Sequence, residues 1–171
     1  GDYNGAMLMR IDNDLTPKVI QCDIHGHNGL AFSPDKRWMF TSDTPNGVIY
    51  RTPLDEQGEP GKREEFRRFS EGEGIPDGAA MDEEGCYWSA LFDGWRIARF
   101  SPQGEQLEEY RLPVRCPTMV CFGGDDMKTL FITTTRENME AEELAKYPLS
   151  GAIFTLPVNV AGMKKSRFIE R

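Results

Sequence analysis

The chain has 171 residues, enough for one domain with a sizeable core, and its 39% hydrophobic and 28% charged shares are those of an ordinary globular protein. Its 28 acidic residues outnumber the 20 basic ones, giving a formal net charge of −8. That balance argues against a nucleic-acid or anionic-membrane surface, because phosphate groups are held by clustered Lys and Arg. The densest basic run, Lys62-Arg63-Glu64-Glu65-Phe66-Arg67-Arg68, is broken by acids and reads as the solvated face of an outer strand. No stretch approaches the roughly 18 apolar residues of a membrane span, and no signal-peptide pattern opens the chain, so a cytoplasmic location is expected. Cys22, Cys86, Cys116 and Cys121 have neither CxxC spacing nor a disulfide framework, and read as reduced, mostly buried thiols. The chain opens on Gly1 rather than Met, which reads as a tag remnant or the start of a fragment.

Residues 5–11 predict an extended strand, the Asp12-Asn13-Asp14 turn follows, and Lys18–Cys22 is its partner strand. As a calcium loop Asp12–Asp14 fails, since Pro17 and Asp23 stand where an EF-hand needs Gly and Glu. A first full unit spans about 28–70, with strands near 29–33, 38–42, 47–52 and 63–69. Asn46-Gly47 between alternating segments is a strong hairpin signal. The pattern Asn28-Gly29-Leu30-Ala31-Phe32, then Trp38–Asp43, then Val48-Ile49-Tyr50-Arg51-Thr52 returns twice more. Its second copy runs through Asp77-Gly78-Ala79-Ala80-Met81, Tyr87–Asp93 and Trp95–Phe100, within a unit of about 77–112. The third, about 118–156, holds Thr118–Phe122, Thr129–Thr133 and Gly151–Leu156, and carries between them a helix-prone segment, Arg136–Tyr147, with Asn138-Met139-Glu140 as its start. The tail after Asn159, ending in Lys164-Lys165-Ser166-Arg167, has no motif.

A period of roughly 40–50 residues is that of four-stranded propeller blades. The fold class is therefore all-β: antiparallel four-stranded blades, with residues 5–24 as a partial blade, so about three to four blades of a larger ring. Propellers close with roughly four to eight blades. An unclosed array would expose sheet edges. The chain is thus expected to belong to a longer polypeptide, the alternative being closure by a second copy of itself.

Asn28 and Asp77 stand at equivalent places, each just before Gly and the first strand of its unit. First strands line a propeller's channel, so oxygen ligands from several blades can converge on one divalent cation, calcium or zinc. Read locally, Asn28-Gly29 and Ile75-Pro76-Asp77-Gly78 are equally good turns. His25 and His27 flank Gly26 as an HxH pair, which binds a transition metal when both rings face one way, but no second pair of ligands has matching spacing. Ser89 lacks a nucleophile elbow and is set aside as a nucleophile. Trp38, Trp88 and Trp95 are expected to pack between blades, with Trp95 a candidate for the channel mouth, and Asp125-Asp126 is a turn cluster.

The string Asn28–Asp35 resembles the regucalcin, gluconolactonase and luciferin-regenerating-enzyme family of six-bladed propellers. So do Pro76-Asp77-Gly78 with Asp82–Trp88, Arg96–Phe100, Leu112-Pro113-Val114, Pro117-Thr118 and Cys121–Asp125. The resemblance covers nearly the whole chain and implies the C-terminal half of such a protein. It implies a divalent metal in the channel and hydrolysis of sugar lactones. Asn28 and Asp77 match two of the family's metal ligands, and Asp77 matches its general base. The third ligand, a Glu, and the sugar-holding Arg, Asn and Glu have no counterpart here. A calcium-binding regulatory propeller without turnover uses the same residues and is the alternative, and a pure interaction scaffold is a weaker third reading.

Overall fold

The computed structural model describes residues 5–164. The first sheet is a hairpin of β1 (Ala6–Ile11) and β2 (Pro17–Ile24). A four-stranded meander follows: β3 (His27–Phe32), β4 (Trp38–Asp43), β5 (Val48–Pro53) and β6 (Glu64–Arg68). A second contains β7 (Ile75–Met81), β8 (Tyr87–Phe92), β9 (Arg96–Phe100) and β10 (Gln106–Arg111). The last sheet joins β11 (Pro117–Gly123), β12 (Thr129–Thr134) and β13 (Ile153–Pro157), with α1 (Ala141–Lys146) between the latter two. Every pairing is antiparallel, and strands follow chain order within each sheet. The first strand of each later sheet packs against its equivalent, β3 on β7 and β7 on β11. That is blade stacking around an axis, with innermost strands side by side. No helix among the described residues is long and apolar enough to cross a membrane.

Local chemistry sets the corners. At Asn46-Gly47 a short 3₁₀ turn, Thr44–Asn46, ends on Gly47 at φ 61°, a left-handed position that a side chain would strain. In the β7–β8 turn Asp82 Oδ1 accepts the N–H groups of Glu84 (3.0 Å) and Cys86 (2.9 Å). Ser101 Oγ does the same for Gln103 and Glu105, both at 3.2 Å.

Packing follows the two-residue period of a strand. Tyr87 and Leu91 of β8 face the preceding blade, joining Phe40, Ile49, Phe66, Ala79 and Phe100 in one core. Trp88 and Ala90 face the next, with Ile97, Val120, Leu130 and Ile132. Because both faces of β8 are covered, Tyr87–Leu91 is buried without a break. Aromatic edges lock the first core: Phe40 meets Phe66 at 5.0 Å and Phe69 meets Phe100 at 5.8 Å. Trp88 fits the expectation of packing between blades, whereas half-buried Trp38 lies under the Arg51 guanidinium, 4.6 Å away.

Asp82 is fully buried. Beyond its turn bonds, its Oδ2 accepts from Trp88 Nε1 (2.8 Å) and Arg99 Nε (2.9 Å). Arg99 in turn pairs with Glu84 (2.6 Å) and Glu108 (2.8 Å). One carboxylate thereby joins β7, β8 and β9. Asp82→Ala is expected to destabilise the fold by about 3 kcal/mol, the usual cost of breaking a buried pair from one side. Urea unfolding followed by tryptophan fluorescence checks this, and an unchanged midpoint would contradict it.

Candidate functional site

All three inner strands are irregular at the same place. In β3, Asn28 pairs with Ser42 but the next partners are Ala31 and Phe40, so Gly29 and Leu30 stand opposite one residue. In β7 the register passes from Pro76↔Leu91 to Ala79↔Ser89, leaving Asp77 and Gly78 against one residue. In β11 it passes from Pro117↔Thr134 to Met119↔Thr133, with Thr118 extra. These are β-bulges, which bend a strand and re-aim a side chain. The turn reading of Asn28-Gly29 and Asp77-Gly78 is therefore corrected: both dipeptides lie inside strands, where the extra residue makes a bulge rather than a reversal.

Glycine is required at both bulges. Gly29 has φ 58°, and a Cβ there would collide with the Tyr87 hydroxyl and Ser42 Oγ. At Gly78 a Cβ would collide with Met119 Sδ and stand 2.6 Å from the Thr118 carbonyl oxygen. These close approaches bring Asn28, Asp77 and Thr118 to matching positions on adjoining strands.

Asn28 is exposed and donates from Nδ2 to Thr44 Oγ1 (3.1 Å), whose own proton goes to the Pro76 carbonyl (2.7 Å). The Tyr87 hydroxyl donates to the Gly29 carbonyl at 2.7 Å. Thr118 and Thr133 share a hydroxyl contact of 2.8 Å. Asp77 is half-buried and accepts no hydrogen bond among the described residues. Lost hydration, and secondarily the negative charge of Glu137, pushes its pKa up to about 6.

Glu137 comes from the excursion between β12 and β13, and that excursion is fastened by Arg115. The Arg115 guanidinium pairs with Asp93 (3.0 Å) and Glu143 (2.7 Å) and donates to the Asn138 carbonyl (3.1 Å). Its α1 lies within the helix-prone segment expected there. Trp95 is half-buried in the β8–β9 turn and meets Tyr147 edge to face at 4.8 Å. A bulky residue at φ 60° is strained, and Trp95 is held there by its N–H to the Arg115 carbonyl and by the Leu112 N–H to its own carbonyl. Trp95 of the second unit thus braces the excursion of the third.

The two histidines differ in exposure and partners. His25 is exposed, with Nδ1 3.0 Å from Asn46 Nδ2, an amide that also donates to buried Asp43 (2.8 Å). His27 is half-buried with both ring nitrogens unpartnered, and burial, then the Arg63 charge, holds its pKa below the usual value. Among the described residues no group of three His, Cys, Asp or Glu is placed to hold a metal ion. Asp14 Oδ1 accepts the Thr16 N–H (2.9 Å) and Asp126 Oδ1 that of Lys128 (3.0 Å), both turn contacts. Ser89 is buried, its hydroxyl bonded to a carbonyl. The four cysteines are free: Cys86 and Cys116 are buried, Cys22 and Cys121 half-buried. Lys165–Arg167 of the basic tail lie outside the described residues. Sequence reasoning missed Thr44 and Glu137, which act across blades and belong to no motif.

Stacked antiparallel meanders with polar bulges on their inner strands define part of a β-propeller. Residues 1–136 match the family model described as the SMP-30/Gluconolactonase/LRE-like region, and the chain belongs to that family. It is 55% identical over 168 residues to a 6-deoxy-6-sulfogluconolactonase of Pseudomonas putida, covering 98% of this chain and 58% of that protein. A pentonolactonase of Haloferax volcanii is 29% identical over 171 residues, with 97% of this chain and 59% of the relative covered. Among solved structures, a calcium-binding regucalcin from Agrobacterium tumefaciens superposes with a TM-score of 0.83 at 30% identity, over 87% of this chain and 51% of that one. The chain therefore spans little more than half the length of these relatives.

The raised Asp77 pKa has a testable sign. The native state binds this proton more tightly than the unfolded chain does, so Asp77 weakens the metal-free fold above pH 6 and ceases to do so near its ordinary 3.8. Asp77→Asn is expected to melt higher than the parent at pH 7.5 in chelator, with the gain shrinking as pH falls from 6 towards 4. Glu137→Gln is expected to lower the Asp77 midpoint while leaving it above 3.8, because burial is the larger cause. Carboxyl-carbon NMR titration reads this directly.

Proposed function

We propose that this chain is part of a sugar-lactone hydrolase whose metal site is built in part from Asn28 and Asp77. The observation that carries the reading is Asp77: a half-buried carboxylate without a hydrogen-bond donor among the described residues, beside the inner strand that presents Asn28. An uncompensated carboxylate and a side-chain amide oxygen suit a hard divalent cation such as calcium, and zinc also accepts carboxylate oxygen. Two donors are fewer than either ion takes, so the remaining ligands belong to water, substrate or other parts of the polypeptide.

A divalent cation held in part by Asn28 and Asp77 would supply Lewis acidity toward the lactone carbonyl and the attacking water. Asp77 receives the proton of the attacking water. A pKa of about 6 suits that task near neutral pH, since an effective base titrates close to its working range. Water oxygen bonds to the acyl carbon, the ring C–O bond breaks, and the proton held by Asp77 passes to the departing ring oxygen. The product is the open hydroxy acid. Asn28 contributes a neutral oxygen and no proton. The identity to a sulfogluconolactonase supports a six-carbon lactone as substrate, including one that carries a sulfonate.

The rest of the ring is proposed to be more of the same polypeptide, since the relatives are longer by about the missing blades. The second reading, a calcium-binding propeller without turnover, is supported by likeness to a calcium-binding regucalcin. A lactone panel with the full-length protein separates the two. Hydrolysis lost with chelator and cut at least about 100-fold by Asp77→Asn supports the enzyme. Metal binding without hydrolysis of any lactone supports the second reading. Saturating metal at a hundredfold over its dissociation constant is expected to add about 2.7 kcal/mol of stability, read as a rise in melting temperature.

A further inference from the structure

We propose that Thr44 is a positioning residue of this site, fixing which atom of the Asn28 amide faces the axis. The inference rests on the reading of Asn28 and Asp77 as metal ligands. Thr44 has one hydroxyl proton, and the Pro76 carbonyl, which can only accept, takes it at 2.7 Å. The Thr44 oxygen can then meet only a donor, so Asn28 turns its NH₂ group toward it, at 3.1 Å. The amide oxygen is left facing the other way, with no donor of its own among the described residues. Without that constraint the amide is free to rotate, and one of its two orientations points N–H groups at a cation, which repels them.

The support itself is rigid. The Thr44 N–H donates to the Gly26 carbonyl (3.2 Å), and the Thr44 carbonyl accepts the Gly47 N–H (3.1 Å). Pro45 fixes the next φ, and its ring packs so close to Gly26 that a Cβ there would lie 2.9 Å from it. The hydroxyl therefore stands at a defined point between two blades. It joins the Asn28 side chain to the peptide immediately before Asp77, so one residue sets both the facing atom of the first ligand and the spacing to the second.

The test is calcium and zinc titration calorimetry on the full-length protein and on Thr44→Val and Thr44→Ser. Valine keeps the shape and removes the hydroxyl, and serine restores it. Partners of ligating side chains typically contribute 10–100-fold in affinity, so valine is expected to weaken metal binding at least about tenfold and serine to return it to within about threefold. The Asn28 side-chain NH₂ resonances are expected to shift in the valine variant only. Valine binding metal as tightly as the parent would overturn the role of Thr44 while leaving the site intact. A loss of affinity that serine does not restore would overturn it too. A parent protein that binds neither metal would overturn the reading of Asn28 and Asp77 instead.

Discussion

The hydrogen bond from Tyr87 to the Gly29 carbonyl is the contact on which the axis depends. Tyr87 is fully buried, belongs to β8, and reaches across a blade boundary to a strand bulge in β3. A bulge takes backbone groups out of the sheet ladder, and a buried carbonyl without a partner costs roughly 1–3 kcal/mol. Tyr87 removes that cost at 2.7 Å. Burial pushes its own pKa far above the usual value, so it stays a donor across the whole working pH range. Gly29 is the matching requirement, since any side chain there would displace the hydroxyl. The bulge, the exposed attitude of Asn28 and the approach of β3 to β7 follow from this one contact.

Electrostatics complete what packing begins. The Arg115 cation that fastens the excursion is already engaged, shared among Asp93, Glu143 and a carbonyl. Asp77 is left with Glu137 as its charged neighbour, and like charges in a partly dehydrated place favour whatever brings positive charge. The buried Asp82 is the contrasting case. It has four donors, one of them an arginine, so it is satisfied and structural. Two aspartates five residues apart on one chain segment thus differ in role because one is surrounded by donors and the other is not.

The blades were legible in the sequence because each is a local meander, with alternation and turn residues inside about 40 residues. Asn28 and Asp77 could be singled out by repeat register alone. The bulges could not: Asn-Gly and Asp-Gly read as turns, and nothing in a two-residue period reveals that one extra residue is absorbed within a strand. Thr44 follows Asp43 in a loop, and its partner Pro76 lies 32 residues away, a distance no local pattern encodes. The conformation of Trp95 was hidden for a related reason. Its left-handed backbone is held by its own N–H donating to the Arg115 carbonyl and by the Leu112 N–H donating to its carbonyl, and aromatic residues carry no sequence signal for such a conformation.

The same geometry bears on how the site behaves when only some blades are present. Apolar side chains stand uncovered at both ends of the array, Met7, Met9 and Ile11 on β1 and Phe131 and Ile153 on the last sheet. Leu30, Phe32 and Met119 are likewise uncovered along the inner strands. Sheets that stack in a ring bury such faces against the next blade, so these are the surfaces that ring closure would cover. The contacts that orient Asn28 and dehydrate Asp77 lie between blades that are both present. The placement of these two side chains is therefore built into this segment, whatever covers its outer faces.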